Sequence, residues 1–282
     1  MMIGNDGNPP PGPAWPLHVA LSPSSIKAYT TCPHRLRLRY IERKKAPFAY
    51  NLHLDQGNIA HLLLAEIAHR LRHDKPQRSE DEMYTRAFRH LPVREFPSRA
   101  AHEAAASEVM DWVTYGRAYL DREADILAVE KPGKREVAWR QQNLRIPVTT
   151  RPDLILLRTD PEGERFVEII DYKTGSMEWI DEIPPVTMRF VFKELFKRVT
   201  PDTRALQMQF TYVWLAHRDT HIIPLTPEYC ESAWAQVMGV VDQLMVERDW
   251  PTRPSKFCHY CPYDGNACHA FDTWLEDPAG EW

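Results

Sequence analysis

Apolar residues recur at helical spacing from about Asn58 to Leu71, where Ile59, Leu62, Leu63, Glu66 and Ile67 follow a 3.6-residue period. Similar periodicity predicts helices near 80–91 and over an Ala-rich stretch, 101–127, that ends before Pro132-Gly133. Further upstream, Ser22-Pro23 opens a helix, with Ser22 as N-cap and Pro23 at the first helical position. Ile26, Tyr29, Leu36, Leu38 and Tyr40 supply its apolar contacts, and Pro33 breaks it in two. From 135 the period changes. Segments 135–140, 144–149, 153–158 and 166–173 are short and rich in Val, Ile and Leu. They are separated by turns at Gln142-Asn143 and Asp160-Pro161-Glu162-Gly163, the pattern of an antiparallel meander. After a polar turn at Thr174-Gly175, helices are predicted near 186–199, 203–217 and 227–247, with a short strand at His221–Leu225. The order of helices, strands and helices predicts an α/β fold with a helical insertion. The expected division is a mobile Pro- and Gly-rich arm, 1–20, followed by one domain, 21–282. That domain has a helical part at about 58–130, a core at about 131–225 and a cysteine-bearing tail at about 251–270.

Composition narrows the class. Of 282 residues, 43% are hydrophobic and 26% charged, as in a globular protein with a real core. No run of eighteen apolar residues predicts a membrane span, and no charged-then-apolar leader predicts secretion, so a cytosolic (cytoplasmic) protein is expected. The net charge of −4 argues against a general nucleic-acid coat protein. Local charge differs. His34 to Lys45 holds Arg35, Arg37, Arg39, Arg43, Lys44 and Lys45 against Glu42, while 272–282 is acidic. The basic run suits either a solvated helix face or a nucleic-acid backbone, with Tyr40 available for base stacking. No Gly-x-x-x-x-Gly-Lys-Ser/Thr motif is present, so no helicase motor is expected.

Two constellations carry chemistry. Asp171 and Lys173 end an apolar strand and share its face, beside whatever the 153–158 strand, opened by Pro152-Asp153, presents. Carboxylates bind hard cations, and an ammonium beside them neutralises charge that develops on a phosphate. Asp-x-Lys alone is a weak signal, equally served by a strand-end ion pair. The second constellation is Cys258-x-x-Cys261 with Cys268, one ligand short of four; Cys32 is the obvious fourth, whereas Cys230 reads as a buried helix thiol. Spacing allows zinc, with His34, His259 or His269 in place of Cys32, or iron–sulfur. Proline after Cys32 and after Cys261 favours the latter.

Pro152-Asp153, then Asp171-Tyr172-Lys173, resembles the signature of the PD-(D/E)XK nucleases. Ile170-Asp171-Tyr172-Lys173-Thr174-Gly175, with Gly57-Asn58-Ile59-Ala60-His61 opening a helix upstream, resembles their RecB-type branch. The resemblance implies a restriction-endonuclease-like core, with a mixed or antiparallel sheet flanked by helices. It implies Mg²⁺ or Mn²⁺ on His61, Asp153, Asp171 and the Tyr172 carbonyl, with Lys173 as the catalytic lysine. The branch also has a Gln-x-x-x-Tyr helix that contacts DNA; here the spacing departs from it, and either Gln207 or Gln209 would pair with Tyr212. Cys-Pro-His-Arg-Leu-Arg-Leu-Arg-Tyr (32–40) and the split cysteine set resemble the iron–sulfur members, AddB-type helicase–nucleases and CRISPR-associated exonucleases. This implies a 4Fe-4S cluster on Cys32, Cys258, Cys261 and Cys268, tying the N-terminal helix to the C-terminal tail, with Arg35 and Arg39 against DNA. The implied activity is a DNA exonuclease on single strands or duplex ends, working with a helicase or with CRISPR adaptation proteins. The alternatives are prespacer trimming and a non-catalytic DNA-binding scaffold.

Overall fold

The computed structural model describes residues 13–46, 51–120, 124–139, 144–175, 180–199 and 207–272. Residues 1–12 of the expected arm, the Gln142-Asn143 turn and most of the acidic terminus lie outside these residues; the rest of the arm is packed, with Trp15 fully buried and the Ala14 amide donating to the Met245 carbonyl (2.7 Å). The chain runs α1 (Pro23–Thr31), α2 (Pro33–Leu36), a π-helical turn (Arg37–Ile41), α3 (Leu52–Arg72), α4 (Glu80–His90), α5 (Arg99–Arg117) and β1 (Asp125–Val129). It continues with β2 (Gly133–Trp139), β3 (Leu144–Thr150), β4 (Leu154–Thr159), β5 (Arg165–Lys173) and α6 (Ile183–Val199). It closes with β6 (Gln207–Trp214), β7 (Asp219–Pro224), α7 (Pro227–Val246) and a short 3-10 turn (Lys256–Tyr260). Among the described residues no helix is long and apolar enough to cross a membrane.

Helix starts follow local capping chemistry. Ser22 and Ser79 form capping boxes with Ser25 and Glu82, and Ser98 caps α5 through the Ala101 amide. Asn51 accepts from the Leu54 amide, so α3 begins six residues before the apolar periodicity becomes legible.

The chain divides into two compact units. One takes the described residues within 50–133 and 150–231; the other takes those within 1–49, 134–149 and 232–282. The first unit is an α/β layer built on a five-stranded sheet of order β1-β4-β5-β6-β7. Pairing is antiparallel except between β5 and β6, which run parallel with α6 between them in sequence. A parallel neighbour needs a crossover of a dozen residues or more, and α6 supplies it. One sheet face buries Leu154, Leu156, Ile170, Tyr172 and Val213 against Leu63, Leu64 and Ile67 of α3 and Val109, Trp112 and Val113 of α5. Met83 and Ala87 of α4 join the same cluster.

Three expectations are corrected. The residues expected as a helix at 203–217 form strand β6 over Gln207–Trp214, because pairing with both β5 and β7 outweighs local helical periodicity. The predicted helix 101–127 stops at Arg117, and Asp125–Val129 instead forms the edge strand β1 against β4. The four-strand meander splits: β2 and β3 form a separate two-stranded sheet, while β4 and β5 enter the larger one.

In the second unit, α1 and the β2–β3 sheet are joined through Leu21, whose amide donates to the Pro147 carbonyl (2.8 Å) and whose carbonyl accepts from Thr149 (2.7 Å). Trp139 donates to Asp242 of α7 at 2.8 Å. The tail returns to the N-terminal helices through His34 N–H to Pro251 (3.1 Å), Arg253 to Thr30 (2.7 Å) and Tyr263 to Lys44 (3.1 Å).

The sheet of the first unit is clamped by a buried charge. Glu168, 4% exposed, accepts from Arg158 of β4 (2.5 Å) and from Gln209 (2.9 Å) and Thr211 (2.6 Å) of β6. Removing its carboxylate takes the buried counter-charge from Arg158, which keeps its bond to the Tyr119 carbonyl (2.8 Å), and leaves two strand donors without their acceptor. Glu168→Ala is expected to cost about 3 kcal/mol, read as a lower midpoint in urea at unchanged slope. A shift under ~0.5 kcal/mol, the size of an ordinary surface substitution, would count against the clamp.

Candidate metal centre

The β4–β5 register sets the centre. Leu154 lies opposite Ile170, so Asp153, one residue before β4, comes level with Asp171 near the end of β5. Asp153 Oδ2 accepts the Tyr172 amide at 2.6 Å, and Oδ1 lies 3.1 Å from His61 Nδ1. His61 reaches in from α3, its ring edge-on to Tyr172 at 6.0 Å. Four residues earlier on that helix stands Gly57, where an added Cβ would sit 2.7 Å from Thr174 Oγ1. Glycine there lets the turn after Lys173 close on α3, so the Gly-x-x-x-His spacing has a packing cause. Lys173 Nζ pairs directly with the Asp171 carboxylate. The structure therefore brings His61, Asp153, Asp171, Tyr172 and Lys173 together.

It also adds a residue that sequence reasoning missed. Glu130 follows β1, and with His61 and Asp153 it forms a set whose possible ligand atoms lie within 4.8 Å of one another, the one such group among the described residues. Its backbone is left-handed, φ 46°, a conformation that costs a non-glycine residue about 1–2 kcal/mol. The position is held because the Glu130 amide donates to the Asp153 carbonyl (2.9 Å). Arg151 binds both the Glu130 carbonyl (3.1 Å) and its carboxylate (2.7 Å). No motif marks Glu130; only the positive φ and the β1–β4 pairing single it out.

The electrostatics are those of crowded acids. Burial works to raise the Asp153 carboxyl, but the His61 charge and hydrogen bond, the Tyr172 amide and Lys173 outweigh it and hold the group below the usual carboxylate range. Asp171 is pushed up, first by burial and then by the Asp153 charge, against the pull of Lys173. Glu130 is pushed up the same way, by burial and by Asp153, with Arg151 and His61 opposing. His61 and Lys173 lose charge stability to burial, yet the facing carboxylates more than restore it and raise both. Two carboxylates, Glu130 and Asp153, and the His61 imidazole line one cleft, with the buried Asp171 carboxylate beside them; they are a fitting donor set for a divalent cation, which would relieve their mutual repulsion.

Other predicted residues lie elsewhere. Tyr212 is on β6 opposite Asp171, its ring 5.7 Å from Lys173 Nζ, but it is buried and its hydroxyl donates to the Asp181 carbonyl at 2.5 Å. It backs the centre from within the sheet, and Gln207 and Gln209 stand with it on strand β6, not on a helix. Gln207 is exposed at the opposite end of β6, five residues away or about 17 Å along a strand. Gln209 is spent on Glu168. Arg39 lies over its neighbour Tyr40, 5.3 Å from the ring, and Arg37 and Lys44 both pair with Glu42, which offsets part of the basic run.

In the second unit, Cys32, Cys258, Cys261 and Cys268 line one pocket together with His34, and all are free thiols. Arg35 also lines it, with its Nε buried and unpartnered among the described residues. Burial raises the Cys261 and Cys268 thiols, and the neighbouring cysteines add to it. Cys230 is buried, as expected for a helix thiol.

The sequence matches the family model described as the PD-(D/E)XK nuclease superfamily over residues 20–269. Among solved structures the chain is similar to SSO0001, at 13% identity and TM-score 0.41, over 88% of this chain and 85% of that one. It is also similar to a Eubacterium rectale protein named "Putative exonuclease", at 14% identity and TM-score 0.47, over 83% and 84% of the two chains. A search of curated proteins finds no match.

Glu130 gives a direct test of the donor set. Titrating Mn²⁺ into Glu130→Ala by calorimetry is expected to show affinity at least tenfold below wild type, the loss typical of removing a group that binds or orients at a metal. Equal affinity would remove Glu130 from the centre.

Proposed function

The chain belongs to the PD-(D/E)XK nuclease superfamily, and from that premise we propose that it is a divalent-metal-dependent deoxyribonuclease of the RecB-type branch, acting as an exonuclease on single-stranded DNA or DNA ends. The observation that carries this reading is the convergence of His61, Glu130 and Asp153 beside the Asp171–Lys173 pair. The oxygen-rich set suits Mg²⁺ or Mn²⁺, with Asp171 and the Tyr172 carbonyl as further ligands. When bound, such a cation acidifies water and polarises a phosphate.

The chain's own groups do the rest. Asp153 is oriented by two donors, so its free lone pairs face the cleft without rearrangement. Lys173, held by Asp171, keeps an ammionium-type charge at the edge of the groove, where it hydrogen-bonds a phosphate oxygen or orients the attacking water. Tyr212 and the sheet beneath exclude solvent from one side of that pair. Asp171→Asn and Lys173→Ala are each expected to lower metal-dependent cutting of labelled DNA by at least 10²-fold while the thermal midpoint stays within a few degrees. Cutting equal to wild type by both variants would defeat the enzyme reading and leave a DNA-binding scaffold.

The cysteine pocket supports a 4Fe-4S cluster as a staple between the N-terminal helices and the tail. The four thiols line one pocket, and proline follows both Cys32 and Cys261, as in some ferredoxin ligand runs. Arg35 beside them offsets the negative charge of a thiolate-bound cluster. Purified protein is expected to absorb in the visible and to contain iron; Cys32→Ala and Cys258→Ala are expected to be colourless and less soluble. Stable, active, colourless variants would remove the staple.

A further inference from the structure

We propose that the face of α3 from His61 to His73, continued by Lys75, is the track on which the substrate's phosphates lie to one side of the cleaved bond. The proposal rests on the nuclease reading and adds which side of the centre grips the strand. A groove of about 1140 Å³ begins at His61, Asp153 and Lys173 and follows α3 to its C-terminal end. Its helix residues recur every three or four positions, so they form one continuous stripe. From His61 to His73 the stripe spans roughly 18 Å at 1.5 Å per residue, about five stacked nucleotides at 3.4 Å each.

Charge distinguishes the two directions. Beyond His61 stand the cations Arg70 and Lys75, with His73 between them and His69 pushed toward its neutral form by burial and by Arg72; before it, the groove meets Leu54, Gly57 and Asn58, with Leu54 62% exposed. Glu66 is the acid on the cationic side, and it is tied by Arg78 (2.5 Å) and Arg86 (3.2 Å), so it subtracts little. A local cationic stripe in a chain of net charge −4 marks an anionic partner. Basic residues in a last helical turn also complement the helix dipole, by about 0.3–1 kcal/mol. That role leaves one feature over: Arg70 lines the groove with its Nε buried and without a hydrogen-bond partner among the described residues. The residue as a whole is only partly buried, and a phosphate oxygen on its other guanidinium nitrogens would give this cation a partner.

The test is anisotropy of a fluorescent single-stranded oligonucleotide on the full chain, with Ca²⁺ in place of the catalytic metal, over a salt series. Arg70→Gln/Lys75→Gln is expected to bind at least tenfold more weakly. Its salt slope should be shallower by about 1.4, two phosphates at about 0.7 each. With Mn²⁺, KM should rise by a similar factor and kcat at saturating DNA should hold. Arg89→Gln, on the exposed surface of α4, should match wild type. A purely structural role for Arg70 would lower the melting temperature and leave the slope alone. Because Arg70 is partly buried, the exposed Lys75→Glu serves alone as well and should weaken binding at least threefold. Wild-type cutting with affinity and slope unchanged in both variants overturns the track and spares the nuclease reading. A wild type that neither binds nor cuts DNA overturns both.

Discussion

Asp153 is bound on both carboxylate oxygens, by His61 of α3 and by the Tyr172 amide of β5, and the geometry of the centre follows from that. A buried carboxylate is costly unless charged or well-aimed donors surround it. Meeting that demand here requires three things at once: the β4–β5 register must be correct, α3 must lie against the end of β5, and His61 must face inward. A one-residue slip between β4 and β5 would turn Asp171 and Lys173 to the opposite face and leave Asp153 without the Tyr172 amide. Gly57 serves the same end from the helix side, since any side chain there would push against Thr174.

The same crowding gives the site its chemistry. Asp153 is held ionised while Asp171 and Glu130 are pushed up by burial and by its charge. Such a set is poised for a cation, and the groove leading from it along α3 is cationic where the set is anionic. On the proposed reading, opposite fields side by side suit a phosphodiester: its backbone would be drawn along the helix while its cleaved group met the acidic set. The Arg151–Glu130 pair keeps the left-handed turn at Glu130 in place, which suggests that positioning this acid matters more than the cost of its backbone conformation.

In the second unit three hydrogen bonds bring the tail back to the N-terminal helices. The four thiols line a pocket between the same two segments. The proposed cluster would tie those segments together, its binding energy adding to folding energy.

What was legible in the sequence was local. Ser22 announces a helix start because a capping hydroxyl needs only the next turn of backbone. The strand ending in Asp171-Tyr172-Lys173 is legible from its apolar run, and the split cysteines from their spacing. The residues that only tertiary structure decided depend on partners far away in the chain. Gln207–Trp214 carries apolar residues that suit either a helix or a buried strand, and it becomes a strand because β5 and β7 offer hydrogen bonds on both edges. That choice sends Gln209 to Glu168 and Tyr212 behind Lys173. Glu130 is an ordinary acid in the sequence; it enters the centre only because β1 pairs with β4 and its amide meets the Asp153 carbonyl. The sequence by itself determined which residue types were available for the chemistry. The pairing of distant strands determined which of them share a cleft, because a metal-binding set is defined by distances of a few ångströms that no local pattern encodes.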